Sequence, residues 1–182
     1  MPLSRTVVAF TLIAALASSA FAADAKFNLT GDNTKIEFVG TKKDGSHTGT
    51  FKKLAGAATV TGTDVATLKL SVVIDVESIT TDNAKLTSHL KSPDFFEVKK
   101  FPEAKFVSTE IKKSADGFTV TGELTMHGQT KSVTFPSKIS VEGAGLKLTA
   151  KFTIDRNEWG IVYGKGMVDA NVALSLSIEA KK

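Results

Sequence analysis

Cysteine is absent from this sequence, which excludes disulfide staples, thiol nucleophiles and thiolate metal sites. It also excludes an N-terminus held by a lipidated cysteine after the leading apolar run. Histidine is scarce: His47, His89 and His127 stand far apart, with no H-x-H or H-x-x-x-H spacing. A zinc or copper site built from them would need convergence from distant segments, so turn and structural roles are expected instead. No G-x-S-x-G elbow occurs. Gly160, Gly164 and Gly166 in WGIVYGKG do not sit between a strand and a helix as a phosphate loop requires. Asp155, Arg156 and Glu158 read as one ion pair at a strand end. These absences point away from an enzyme and imply no metal and no cofactor.

A strong charge imbalance is missing too. The formal net charge is +4, or +3 once Arg5 is removed with the N-terminal segment, too slight an excess to imply nucleic acid. Lysine pairs such as Lys42-Lys43 and Lys99-Lys100 are scattered, as suits strand ends and edges. They leave room for transient contact with an anionic membrane surface. The sequence holds one long apolar run, Val7 to Leu16, broken at Thr11. It follows Arg5 and precedes Ala20-Phe21-Ala22, an A-x-A pattern, and it is shorter than the ~20 residues that span a bilayer. We read residues 1–22 as a secretory signal peptide cleaved after Ala22, with residues 23–182 as one exported domain. An exported chain without disulfides suits a bacterial periplasm.

What is present is a period of two. Leu68, Leu70, Val72, Ile74 and Val76 alternate with polar residues, as do Phe118, Val120, Leu124 and Met126. Leu146, Leu148, Ala150, Phe152 and Ile154 do the same, and so do Val168 through Ile178. Val133 and Phe135 are expected to pair with Ile139 and Val141 across Pro136. One apolar and one polar face per strand marks an antiparallel sheet, and about eight such strands must bring their apolar faces together as a sandwich or a barrel. Eight tilted strands enclose room for one small ligand.

One segment refuses the alternation: His89 to Phe106, HLKSPDFFEVKKFPEAKF, with four Phe. Pro93 and Pro102 bar it from a central strand. Ser92 before Pro93 has the form of a helix N-cap, and 82–90 can hold a short helix. The rings must be buried against the sheet interior or against something the sheet holds. Residue types leave both readings open, because Phe needs no polar partner in a core or in a tunnel.

The order of segments resembles the YceI-like family of periplasmic polyisoprenoid-binding proteins over residues 26–180. The matching stretches are VESITTDN (76–83), HLKSPDFFEVKKFPEAKFVST (89–109), VTGELTMHGQTKSVTF (120–135) and FTIDRNEWGI (152–161). Leu86-Thr87-Ser88 departs from an Arg-Asp pair frequent in the family before its His-Leu. The resemblance implies an all-β, eight-stranded antiparallel lipocalin-like barrel with a short helical, Phe-rich insertion. It also implies an apolar cavity for an isoprenoid or fatty chain, and homodimers in some members. The expected function is a periplasmic carrier for such a lipid. The alternative is a stress-response or interaction module with a filled core. Expected wall residues are Phe38, Phe51, Phe95, Phe96, Phe106, Phe118, Leu124, Met126 and Phe152. Arg156, Trp159 and Tyr163 are expected at a polar rim, where Arg156 can offer a fork of donors to a head group.

Overall fold

A computed structural model describes residues 23–182; the expected signal segment, residues 1–22, lies outside them. The described chain forms a curled, wholly antiparallel sheet. Its strands are β1 (Asp24–Thr30), β2 (Thr34–Lys42), β3 (Gly45–Phe51), β4 (Leu54–Thr61), β5 (Lys69–Asp75), β6 (Ile79–Thr81), β7 (Glu103–Ser114), β8 (Gly117–Met126), β9 (Gln129–Glu142), β10 (Gly145–Asp155) and β11 (Val168–Lys181). One short helix, α1 (Ala84–Leu90), lies between β6 and β7.

The strand count is therefore eleven and not eight, and the pairing explains the difference. Thr30 pairs with Ala55 in β4, and a few residues later Glu37 pairs with Thr50 in β3. Thus β1 and β2 follow one another along the track laid by β4 and β3. In the same way Leu54 pairs with Ile74, and Phe51 with Ile79, so β5 and β6 share one further track. The eleven strands thus follow eight tracks, three of them broken in two, and β1 and β6 are the pieces that alternation did not reveal. The remaining pairings run β5, β7, β8, β9, β10, β11 and back to β2.

The three breaks lie side by side and form a crease. At Gly31 a Cβ would collide with the Lys52 carbonyl, so only glycine lets the β1–β2 turn cross the β3–β4 break. Lys52 N–H donates to the Ser78 carbonyl (3.3 Å), Asp75 N–H to the Lys53 carbonyl (3.0 Å), and Lys53 N–H to Ser78 Oγ (2.9 Å). Val76 N–H donates to the Pro102 carbonyl at 2.9 Å. These bonds re-pair backbone groups released from the ladder, as breaking a buried strand requires. Breaks of this kind let a narrow sheet curl, as bulges do.

Two local expectations need correction. Ser92 does not start a helix. Its carbonyl accepts from Phe95 N–H (3.1 Å) and Glu97 N–H (2.9 Å), and the segment turns again because Glu97 takes φ +46°, which no right-handed helix permits. The only α-helix among the described residues is α1, capped by the Asn83 side chain on Leu86 N–H at 3.0 Å. The Phe-rich segment after it is a run of turns. Pro136 does not divide two pairing strands either. It lies inside β9, opposite Thr119, one residue before the β10 ladder begins at Ser137–Ala150, where that side of the strand is free.

The interior is uneven. Around β1, β4 and the first half of β10, Phe27, Leu29, Ala58, Val60, Leu146 and Leu148 are almost fully buried. Inward residues on the other halves of the same barrel, such as Phe38, Leu124, Ile154 and Leu174, are only half-buried. One end is packed; the other is not.

Candidate functional site

The unpacked end holds a cavity of about 200 Å³ with an almost wholly apolar lining. Ile36 and Phe38 of β2, Ile74 of β5, Leu124 and Met126 of β8, Ile154 of β10, and Val172 and Leu174 of β11 supply its wall. These are alternate residues of amphipathic strands, so the pleat alone turns them inward. Leu86 and Leu90 from α1, with Phe95 and Phe96 from the turns after it, close one side. Phe38, Phe51 and Phe96 form a series of rings at 5.8 and 6.0 Å, the second contact edge-on. Gly49, paired with Phe38, makes room for this: a Cβ there would strike the Phe38 ring.

At the inner end three rings stand in series. Phe106 lies 5.8 Å from Phe135, and Phe135 stacks on Phe152 at 4.3 Å and 8°. Phe106 and Phe152 each sit one inward position deeper than a lining residue, Ala104 and Ile154. Each packs on Phe135, and neither is among the residues that line the space. Phe118 lies farther away, in a more polar surface depression with Ser137 and Leu176. Of the nine residues expected in the wall, the cavity thus brings together Phe38, Phe51, Phe95, Phe96, Leu124 and Met126, and leaves out Phe106, Phe118 and Phe152.

The expected rim also divides. Trp159 is 1% exposed and its Nε1–H donates to the Leu124 carbonyl at 3.0 Å. It is a core residue, not a rim residue. The reason lies in β9 and β10, whose ladder stops at Ser137–Ala150; the indole reaches across from the turn after β10 to bond β8. Arg156 is buried and lines the cavity, but three donors are already engaged. Nε donates to the Asp169 carbonyl (3.0 Å), Nη1 to Ile161 (2.6 Å) and Nη2 to Val168 (3.2 Å). Its fork therefore clamps both ends of the 160–167 loop, and only two of its five N–H groups are free to meet a guest. Burial pulls its affinity for the proton below the ordinary value, partly offset by Asp155; an arginine stays charged regardless. Tyr163 is 42% exposed and packs on His89 (4.9 Å) and Phe95 (5.1 Å) beside the opening.

Residues that sequence reasoning passed over include Ile36, Ile74, Ile154, Val172, Leu174 and His47. Ile74, Ile154, Val172 and Leu174 stand on inward faces that the alternation predicts, and aliphatic side chains line such a space as well as Phe does. His47 Nδ1 lies 2.9 Å from Asp82 Oδ1 at the mouth. Asp82 also accepts from Thr48 N–H (3.1 Å), and that bond first, then His47, holds its carboxyl below the usual range. His127 acts as a tie. Nδ1 donates to the Trp159 carbonyl (3.1 Å), its ring lies 4.6 Å from Phe101, and φ is +50°. Among the described residues no group of three or more His, Asp or Glu is placed to hold a metal.

The fold is shared with known proteins. A family model described as the YceI-like domain matches residues 27–180. A UPF0312 protein of Yersinia enterocolitica is 36% identical over 187 residues, covering 97% of this chain and 96% of its own. Among solved structures, BcnA of Burkholderia cenocepacia superposes with a TM-score of 0.72 at 25% identity, covering 81% of this chain and 96% of its own. A polyisoprenoid binding domain from Saccharophagus degradans, implicated in plant cell wall breakdown, superposes with a TM-score of 0.68 at 14% identity, covering 86% and 98%. The lipocalin-like curl is common to these structures, and this chain is a member of the YceI-like family.

Proposed function

We propose that this protein binds the apolar chain of an isoprenoid or other amphiphilic lipid in the cavity, and carries it in the periplasm to which residues 1–22 direct it. The observation that supports this most is the hollow end itself: about 200 Å³ lined by aliphatic and Phe side chains in a barrel whose other end is packed. Protein interiors leave few voids larger than a water molecule. The volume is below the roughly 300–1,000 Å³ of drug-sized pockets, which suits a narrow chain over a fused-ring body. The Saccharophagus degradans relative's description as polyisoprenoid binding agrees with this choice.

Magnitudes favour a long tail. Each buried methylene contributes about 0.8 kcal/mol, so ten supply about 8 kcal/mol. Association costs roughly 4–15 kcal/mol, so short chains bind weakly and affinity climbs with each further buried carbon. Head-group selection falls to the two free N–H groups of Arg156, which suit an oxygen acceptor. Native mass spectrometry of protein purified from its host tests the reading. A stoichiometric lipid, or a titration in which affinity rises with chain length, is expected. A bare mass under gentle conditions, with no uptake of long-chain lipid, returns the protein to the class of interaction modules.

A further inference from the structure

The described residues leave three large apolar side chains strongly exposed: Val162 (56%), Tyr163 (42%) and Met167 (67%). All three fall within six positions of one loop. That loop is built, not frayed. Arg156 clamps the carbonyls of Ile161, Val168 and Asp169 at its two ends. Met167 N–H and Val168 N–H both donate to the Gly164 carbonyl at 2.8 Å. Gly160, Gly164 and Gly166 take φ of +77°, +70° and +83°, a path other residues resist. This scaffold holds Val162, Tyr163 and Met167 out in water while Ile161 and Val168, next to them, line the cavity. A clustered apolar set on a rigid base, at the mouth of an apolar cavity, marks an interaction surface.

From this we infer that the 160–167 loop docks the open end of the barrel on an anionic lipid bilayer, so that a chain passes between membrane and cavity without crossing water. The inference rests on the lipid-binding reading above. Charge around the opening fits the partner. Lys165 is the loop's one charge, Lys42 and Lys43 outnumber Asp44 on the β2–β3 turn, and Lys85 is the only lysine or carboxylate of α1. Of the facing carboxylates, Asp82 is paired with His47 and Asp94 with His89, and Asp169 follows Val168 on the strand that Arg156 clamps. Three side chains are too small a patch for a stable protein partner, which needs about 1,200 Å². They suffice for shallow insertion assisted by lysines near anionic head groups.

The lack of cysteine makes the test clean, since Met167→Cys accepts one environment-sensitive dye and Ala144→Cys, exposed on the turn at the opposite end, serves as reference. With vesicles of phosphatidylglycerol and phosphatidylcholine, dye emission should shift to the blue at Met167 and not at Ala144. The shift should fade in pure phosphatidylcholine and in about 0.5 M salt, where the screening length drops below ~5 Å. A second variant, Val162→Ser with Met167→Ser, neither of which lines the cavity, should lower vesicle binding by about tenfold while keeping any lipid seen in the native mass. No shift at Met167, or an equal shift at Ala144, overturns docking. A protein that carries lipid yet shows no shift loses this inference alone. One that docks but carries no lipid keeps the docking and loses the chain transfer together with the binding reading.

Discussion

The two ends of this barrel are built from the same strands and do opposite things. In β10, Leu146 and Leu148 are almost fully buried, while Ile154, on the same face, lines the hollow. In β11, Ile178 is buried against the packed end and Leu174 borders the space. The residue types barely differ. What differs is the surroundings: at the packed end β1 and β4 bring Phe27, Leu29, Ala58 and Val60 into the interior. At the hollow end the opposing mass is α1 and the turns after it, which lean over the opening and do not fill it. Stability resides in one half and binding capacity in the other.

The largest expected effect separates the halves by truncation. Phe27→Ala, at 0% exposure, should cost about 3–5 kcal/mol in urea unfolding, because the site cannot collapse around the void. Leu174→Ala should cost less than half of that in lipid-free protein, since its far side already meets empty space. Equal losses would erase the distinction between the ends.

Added volume gives the converse. Ala58→Leu at the packed end should destabilise by about 1–3 kcal/mol through overpacking. Val172→Phe should leave the unfolding midpoint nearly unchanged and reduce lipid content in the native mass by about tenfold, a loss of about 1.4 kcal/mol of binding. Retained lipid in a folded Val172→Phe variant would show that the guest sits elsewhere. A smaller effect is expected at the boundary. Trp159→Phe removes the bond to the Leu124 carbonyl and should cost about 1 kcal/mol, read from the urea midpoint.

The smallest effect concerns the mouth. The Asp82 carboxyl is held below its ordinary range by Thr48 N–H and His47. Whatever stabilisation its ionised form contributes is complete above the ordinary carboxylate range and is lost as pH falls through the lowered value. The melting-temperature difference between the wild type and Asp82→Asn should therefore be constant near neutral pH and close on acidification. A difference that grows in acid would contradict the pairing.

Much of the fold was legible because a pleat writes itself into sequence with a period of two. The inward faces of β8, β10 and β11 were each readable from their alternation, as was the exclusion of most of His89 to Phe106 from the sheet by Pro93 and Pro102, although its last four residues, 103–106, open β7. Missing were β1 and β6, the second too short at three residues to show a period. Trp159 was misplaced because residues 156–159 have no period at all; only the divergence of β9 from β10 creates the slot that the indole fills. Arg156 was assigned to a guest because its partners are main-chain carbonyls, which no residue type announces. Phe106 and Phe152 face the right way but at the wrong depth, and depth along an inward face carries no sequence signal.

The sequence by itself determined which face of each strand turns away from water, because alternation in apolar area decides that locally, residue by residue. Where along those faces the interior is full and where it is open was decided by tertiary structure alone. Emptiness depends on what arrives from the opposite wall: Phe27 and Leu29 share one core with Leu146 and Leu148 at one end, and at the other no side chain of the described residues fills the space before Ile154 and Leu174.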